Sequence, residues 1–315
     1  MGLIRSYKEN KMMGRDLNWW FRKGLLGVTH PDLLLLRGCY NVNRCIADTL
    51  SGLGYYKYPH RIIFLAGMAM SGSTWVKNLL AHIPGYFTRT EPMPREIASQ
   101  GGIVDSFFNY VPKRGYSLFK THIVPSRENL DCLFRNDVKK ILVTYRDLRD
   151  VAVARYYRLS RYPFPGYDSD HKFNYSKIDK EKALEDSIEV VAKRFVPWIR
   201  GWFKNRELFP ERFLFFTFEE LKGDTAGTFE KMLKFYDISI SPDMKNKIII
   251  GARGKGTMVQ NIEASGILPW GYSSNFRLGK IRGWEQEFTK AHIRKCKDLF
   301  GDALVELGYE KDLNW

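Results

Sequence analysis

Short apolar runs, separated by longer stretches of helical periodicity, organise most of this chain. Four runs are rich in β-branched and aromatic residues and predict buried strands: RIIFLA (61–66), YSLFKTH (116–122), KKILVTYR (139–146) and RFLFFTF (212–218). Helical patterns follow them at about 73–82, through DVAVARYYRL, at 181–203, at 225–236 and near the carboxyl end. This alternation predicts an α/β fold, a single domain whose central parallel sheet is flanked by helices.

Two segments depart from the alternation. Residues 1–58 are aromatic and basic and predict an N-terminal helical collar that belongs to the same domain, the main part of which runs over 59–315. A weaker alternative for this collar is a peripheral membrane contact through Trp19, Trp20 and Phe21. Residues 163–180 combine turn formers with aromatics and predict a long loop or lid.

Composition and charge narrow the function classes. Apolar residues make up 44% of the 315 positions and aromatics 15%, which excludes a mostly disordered chain. The net charge of +15 favours an anionic ligand, nucleic acid or an acidic surface. The basic residues are spread along the chain and form no block, which weakens the nucleic-acid interpretation.

Cysteine and hydropathy patterns predict the compartment. Cys39, Cys45, Cys132 and Cys296 form no C-x-x-C pair, which predicts reduced thiols and no metal site. The longest aliphatic run, 33–36, is far too short to span a bilayer, and no signal-peptide pattern opens the chain. We therefore expect a cytoplasmic protein without a membrane span.

The stretch GMAMSGSTWVKNLL (67–80) follows the first strand and predicts a phosphate-binding loop. Gly67 and Gly72 have the spacing of a Walker loop, but Ser73 stands where that loop has lysine. Backbone N–H groups and hydroxyls at the start of a helix can hold a phosphate without a metal. The alternative is an ordinary strand-to-helix turn capped by Ser71 or Ser73.

Two further strand ends carry candidate chemistry. Lys120 and His122 are two residues apart, so their side chains should point to the same face, and the ammonium should keep the imidazole neutral. Arg146 leaves the third strand into a helix, where its guanidinium could grip a phosphate. The alternatives are a structural histidine and a salt bridge within R-D-L-R-D, from Arg146 or Arg149 to an aspartate.

Taken in order, the motifs S-G-S-T-W, K-T-H, Y-R-D-L-R-D-V-A-V and R-L-G resemble those of the sulfotransferases that use PAPS (3′-phosphoadenosine 5′-phosphosulfate). The resemblance covers roughly 60–300 and implies PAPS as co-substrate, PAP (3′-phosphoadenosine 5′-phosphate) as product and no metal. The aromatic lid segment at 163–180 suggests a small organic acceptor with a hydroxyl or amine, such as a specialised metabolite, beneath it. A carbohydrate acceptor and a homodimer stay open.

The resemblance also assigns roles to individual residues. His122 would be the base that takes the acceptor's proton, and Lys120 would support charge on the transferring sulfonate. The residues implied in nucleotide binding are Met70, Ser71, Gly72, Ser73 and Thr74 around the 5′-phosphate, Trp75 on the adenine, and Arg146, Arg277, Leu278 and Gly279 at the 3′-phosphate.

The chain departs from the family pattern at four of its motif positions. Met70 replaces the loop lysine, Ala154 a serine, Phe218 an aromatic hydroxyl and Leu278 the lysine of R-K-G. Loss of the loop lysine removes a cation where negative charge builds up. Either Lys120 or Lys77 could compensate.

Three alternatives remain open beside a transferase. The first is a nucleotide-binding P-loop protein or nucleotide kinase, although the third strand ends in Tyr145-Arg146 and not in a Walker-B acid. The second is a basic nucleic-acid-binding protein. The third is a relative of the sulfotransferases with weak or no activity.

Overall fold

The structure is a computed structural model that describes residues 31–88, 97, 100–109, 111–112, 115–161, 175, 177–252 and 279–315, with backbone alone at 31–41 and 161. The predictions for residues 1–30, for most of the lid at 163–180, and for Arg277 and Leu278 lie outside the described residues. Among the helices in the described ranges, none combines the length and apolar content that a membrane crossing requires.

Five strands form one sheet in the order β2-β3-β1-β4-β5. They are β1 (Ile62–Gly67), β2 (Tyr86–Thr88), β3 (Tyr116–Thr121), β4 (Ile141–Tyr145) and β5 (Phe213–Thr217). β3 pairs in parallel with both β1 and β2, and Ala66 lies opposite Thr121. Every residue of β1 and β4 is buried, as expected for strands covered on both faces. The predicted α/β fold with a central parallel sheet is confirmed.

Helices follow most of the strands. They are α1 (Pro31–Gly52), α2 (Ser73–Leu80), α3 (Arg127–Arg135), α4 (Leu148–Arg161), α5 (Lys180–Val190), α6 (Val196–Leu208), α7 (Phe218–Gly223), α8 (Thr225–Phe235), α9 (242–252) and α10 (Lys290–Glu306). A π-helical turn, Val191–Phe195, separates α5 from α6, so the single helix predicted over 181–203 is interrupted. The predicted helix at about 73–82 ends earlier, at Leu80.

The fourth predicted strand is one residue shorter at its carboxyl end than its apolar pattern suggests. Thr217 accepts a hydrogen bond from the Glu220 N–H, and the Glu220 carboxylate accepts one from the Thr217 N–H. This reciprocal capping box starts α7 at Phe218 and takes that residue out of the strand.

The described residues group into two compact units. The first contains α1, β2, β3, α3 and most of β1, α2 and α8. Its core includes a cluster of phenylalanines in which the Phe119 ring lies 5.0 Å from Phe107 and 5.4 Å from Phe108. The buried Tyr236 hydroxyl donates to the Lys140 carbonyl and accepts from the Phe64 N–H. These bonds satisfy a polar group that would be costly to bury alone.

The second unit contains the loop at 67–73, most of β4, α4 to α7, β5 and residues 279–315. Arg149 is buried in it, bound to Asp147 at 2.8 Å and to the Glu310 carboxylate. Its guanidinium also lies against the rings of Trp284, at 4.1 Å, and Trp315, at 4.6 Å. One arginine of R-D-L-R-D therefore stabilises the fold near the carboxyl terminus.

Candidate active site

The loop after β1 folds back on the first residue of α2. A Cβ atom on Gly67 would lie 2.4 Å from the Ser73 Cβ, so this close approach requires glycine. The Met68 N–H donates to the Thr144 carbonyl over 2.8 Å, and the Thr144 hydroxyl donates to the Ser71 carbonyl over 3.2 Å. Both bonds fix the loop to β4.

Ser71 supports the loop from inside. Its side chain is fully buried, and its hydroxyl donates to the Met68 carbonyl over 2.7 Å with the Thr144 carbonyl at 3.1 Å. The Ser71 N–H also faces the Met68 carbonyl, at 3.3 Å. Because these donors bond to protein carbonyls, the groups better suited to an anion are those of the next three residues, 72–74.

Met70 adopts a backbone conformation that residues other than glycine rarely take. Its φ is 69°, in the left-handed region. Such a conformation costs on the order of 1 kcal/mol and persists only where neighbours fix it. One such neighbour is Arg146, whose Nη1 donates to the Met70 carbonyl over 3.4 Å. The sequence identified Met70 as a missing lysine but gave no sign of this strain.

Arg146 is held by protein groups on several sides. It is 7% exposed, and Nη2 donates to Asp150 over 3.2 Å and to the Lys280 carbonyl over 2.6 Å. The salt-bridge alternative for this motif is therefore present in the structure. Among the described residues nothing accepts a hydrogen bond from its Nε, and the Glu219 carboxylate lies 4.0 Å from that atom. This Nε–H is therefore a buried donor whose hydrogen bond is unmade among the described residues.

The carboxylates near Arg146 are themselves buried. Burial raises the pKa of Asp150 against the opposing effect of Arg146, and the Trp284 N–H donates to it over 3.0 Å. Burial likewise raises the pKa of Glu219, which accepts a hydrogen bond from the Tyr309 hydroxyl. The Nη donors of Arg146 are already bound to a carboxylate and two carbonyls, which makes it a weaker phosphate ligand than an unpaired arginine.

Phe218 packs between two glycines with positive φ angles. A Cβ on Gly72 (φ 77°) would lie 2.7 Å from Cδ2 of this ring, and one on Gly279 (φ 48°) would lie 2.8 Å from Cζ. The Arg146 guanidinium lies 4.4 Å from the ring centroid. The sequence marked Phe218 only as a lost hydroxyl and missed this packing.

Lys120 and His122 are in contact at the end of β3, which confirms that they share a face. Lys120 Nζ lies 2.9 Å from His122 Nε2, and the imidazole is exposed. An ammonium can only donate, so Nε2 is the acceptor in this contact. Lys120 lies opposite Leu65 in the β1–β3 pairing, close to the end of β1 from which the loop leaves.

Three other positions noted in the sequence lie on helices. Trp75 and Lys77 are half-buried on the first turns of α2, and Ala154 is half-buried on α4. Whether Trp75 stacks on a base stays a prediction.

The comparison with known families decides the assignment. The model of the sulfotransferase domain matches residues 60–308. The chain belongs to the sulfotransferase family. This membership confirms the resemblance found in the sequence and shows that the protein is an enzyme of the sulfotransferase class. It favours that function over a nucleotide kinase or a nucleic-acid-binding protein.

Individual sulfotransferases are similar to this chain at low identity. Sulfotransferase 1 family member D1 of Rattus norvegicus is 24% identical over 83% of this chain and 89% of its own length. Human sulfotransferase 2A1 is 26% identical over 56% of this chain and 60% of its own length. The crystal structure of mouse sulfotransferase SULT7A1 complexed with PAP has a TM-score of 0.60 at 19% identity, covering 82% of this chain and 90% of that one. The likeness in structure shows a shared fold.

Proposed function

We propose that this sulfotransferase moves a sulfonate group from PAPS to a hydroxyl or amine of a small organic acceptor, with His122 as the base. The observation that carries the proposal is the contact between Lys120 and His122 at the end of β3. The mouse structural neighbour that was crystallised with PAP supports the choice of nucleotide.

The loop suits a 5′-phosphate on physical grounds. Gly72 presents no side chain, and Ser73 and Thr74 place their N–H groups at the first turn of α2, where unpaired donors and the helix dipole favour an anion. Gly279 is proposed to contact the 3′-phosphate beside Arg277. Bound PAPS would supply the sulfonate in an activated form, on a phosphate leaving group.

The donor pattern around His122 suggests how the proton moves. Nε2 accepts a hydrogen bond from Lys120, so the neutral imidazole has its basic nitrogen on the side of that ammonium. When Nε2 takes the acceptor's proton, the ring becomes a cation and no longer accepts from Lys120. Lys120 would then stabilise negative charge that develops on the transferring group.

Arg146 would bind the 3′-phosphate through fewer donors than an unpaired arginine could provide. Its Nη atoms hold Asp150 and the carbonyls of Met70 and Lys280, and its Nε–H is buried, so a bound 3′-phosphate would compete for the Nη donors. Arg277 is the second guanidinium proposed for that phosphate. Calorimetry of PAP against 5′-AMP tests both: PAP should bind well and 5′-AMP poorly. Equal affinities would contradict the proposed nucleotide site.

The composition of the chain supports the proposed acceptor class and compartment. The aromatic segment 163–180 suggests a small organic acceptor, including a specialised metabolite, and the cysteine usage suggests the cytoplasm. Screening phenols, alicyclic alcohols and primary amines with labelled PAPS would identify the acceptor group.

A further inference from the structure

The packing of Phe218 joins two backbone segments that the proposed function assigns to the nucleotide. The ring lies against Gly72 in the loop and against Gly279 near the carboxyl end. From the same short helix, Lys222 donates to the Gly279 carbonyl over 2.6 Å. Helix α7 therefore contacts Gly279 through an apolar ring and through a charged hydrogen bond.

The same ring fixes a charged group. The guanidinium of Arg146 lies over its face at 4.4 Å, and the hydrogen bonds of that guanidinium reach the Met70 carbonyl on one side and the Lys280 carbonyl on the other. Cation–π attraction is strongest where water is excluded, as it is for this 7% exposed arginine. Phe218 and Arg146 thus connect the same two segments, one through packing and the other through hydrogen bonds.

Resting on the proposed function, we propose that Phe218 is a positioning residue for the nucleotide. Its ring sets the distance between the Gly72 turn and Gly279 and orients Arg146, without itself donating or accepting a hydrogen bond. The two glycines are required because any Cβ would displace the ring. Loss of the ring should weaken PAP binding at both phosphates and leave the acceptor interaction unchanged.

Alanine at the two glycines tests the packing, with two matched controls. Gly54 and Gly308 have φ angles of 78° and 76°, close to the 77° of Gly72, but nothing lies within 4 Å of their Cβ positions. Gly54→Ala and Gly308→Ala therefore measure the cost of a left-handed alanine alone. We expect Gly72→Ala and Gly279→Ala to weaken PAP binding at least about tenfold, and the two controls to change it less than about twofold.

A second-site change tests whether the ring is the cause. Leucine has no atom equivalent to Cζ, which is the atom that alanine at 279 would strike, but it keeps Cδ atoms like the one that alanine at 72 would strike. We therefore expect Phe218→Leu to raise the PAP affinity of Gly279→Ala to the level of Phe218→Leu alone, and to give no such recovery in Gly72→Ala. Strictly additive effects in both pairs would overturn the proposal.

Kinetics separate positioning from general loss of structure. Phe218→Leu should raise the KM for PAPS several-fold with the acceptor KM unchanged, whereas a lower kcat with both KM values unchanged would overturn the proposal. If the wild-type chain fails to bind PAP, the proposed function fails. In that case the Tm of the same single and double variants, measured without nucleotide, tests the packing. Phe218→Leu should raise the Tm of Gly279→Ala, and a Tm that stays low would contradict the proposed packing.

Discussion

Arg146 and Asp150 form a buried ion pair one helical turn apart, in which Nη2 donates to Oδ2 over 3.2 Å and both side chains are less than a tenth exposed. The Asp150 carboxylate offsets part of the positive charge with which Arg146 of the motif R-D-L-R-D could attract a phosphate. Burial raises the pKa of Asp150 in spite of its arginine partner, and the Trp284 N–H donates a further hydrogen bond to this carboxylate.

Asp150→Asn should therefore destabilise the fold strongly. The variant leaves the Arg146 charge without its counterion in a buried site, which costs about 3 kcal/mol in the free energy of unfolding. Chemical denaturation monitored by fluorescence measures the change. The exposed pair Arg127–Asp131 has the same spacing and serves as control, since Asp131→Asn should change stability little. Equal losses in the two variants would argue against a buried, structurally important pair.

Alanine substitution at the two lysines that could replace the missing loop lysine should have very different effects on kcat. Lys120 contacts His122, whereas Lys77 lies one turn into α2. We expect Lys120→Ala to lose several orders of magnitude in kcat, as when a cation that stabilises the transition state is removed, and Lys77→Ala to lose much less. Met70→Lys should hold or raise the rate. An inactive Lys77→Ala beside an active Lys120→Ala would reverse the assignment.

His60 should make stability depend on pH near neutrality. Burial, followed by Lys140, lowers the pKa of His60 below 6.5, the ordinary value for histidine, and Asp237 offsets only part of that shift. Between the lowered pKa and 6.5 the unfolded chain binds more protons than the folded one, so stability falls as the pH falls through this window.

Denaturation of the wild type and of His60→Gln between pH 7.5 and 5.5 checks this prediction. Glutamine cannot take up the proton, so the variant should lose less stability on acidification than the wild type does. Parallel stability curves for the two proteins would show that His60 contributes nothing to the slope.

The sequence predicts the elements that local pattern determines. The apolar runs that became β1, β3, β4 and β5 lie within a residue or two of the observed strands, and the two-residue spacing correctly predicted that Lys120 and His122 meet. The strand β2 was missed because three residues carry too little periodicity. Helix α3 was also missed, although Ser126 caps it and accepts from the Asn129 N–H.

The environment of Arg146 could not be predicted, because it depends on tertiary packing. The motif allows a phosphate grip or an ion pair with equal ease. The carbonyl of Lys280, 134 positions away in the sequence, and the ring of Phe218 reach the guanidinium only through the folded backbone. No local sequence pattern indicates such contacts. The motifs place Gly72 and Gly279 at the ligand but do not indicate that the Phe218 ring packs against both.

The most direct test of the proposed function is sulfonate transfer from radiolabelled PAPS to the acceptor panel, measured for the wild type and for His122→Ala. We predict turnover of at least one hydroxyl or amine by the wild type. The variant should transfer less than a few per cent as fast while binding PAP with unchanged affinity, because the imidazole acts on the acceptor and not on the nucleotide. A variant that keeps most of the wild-type turnover would contradict the role of His122, and a wild type that binds PAP but transfers to no acceptor would contradict the proposed activity.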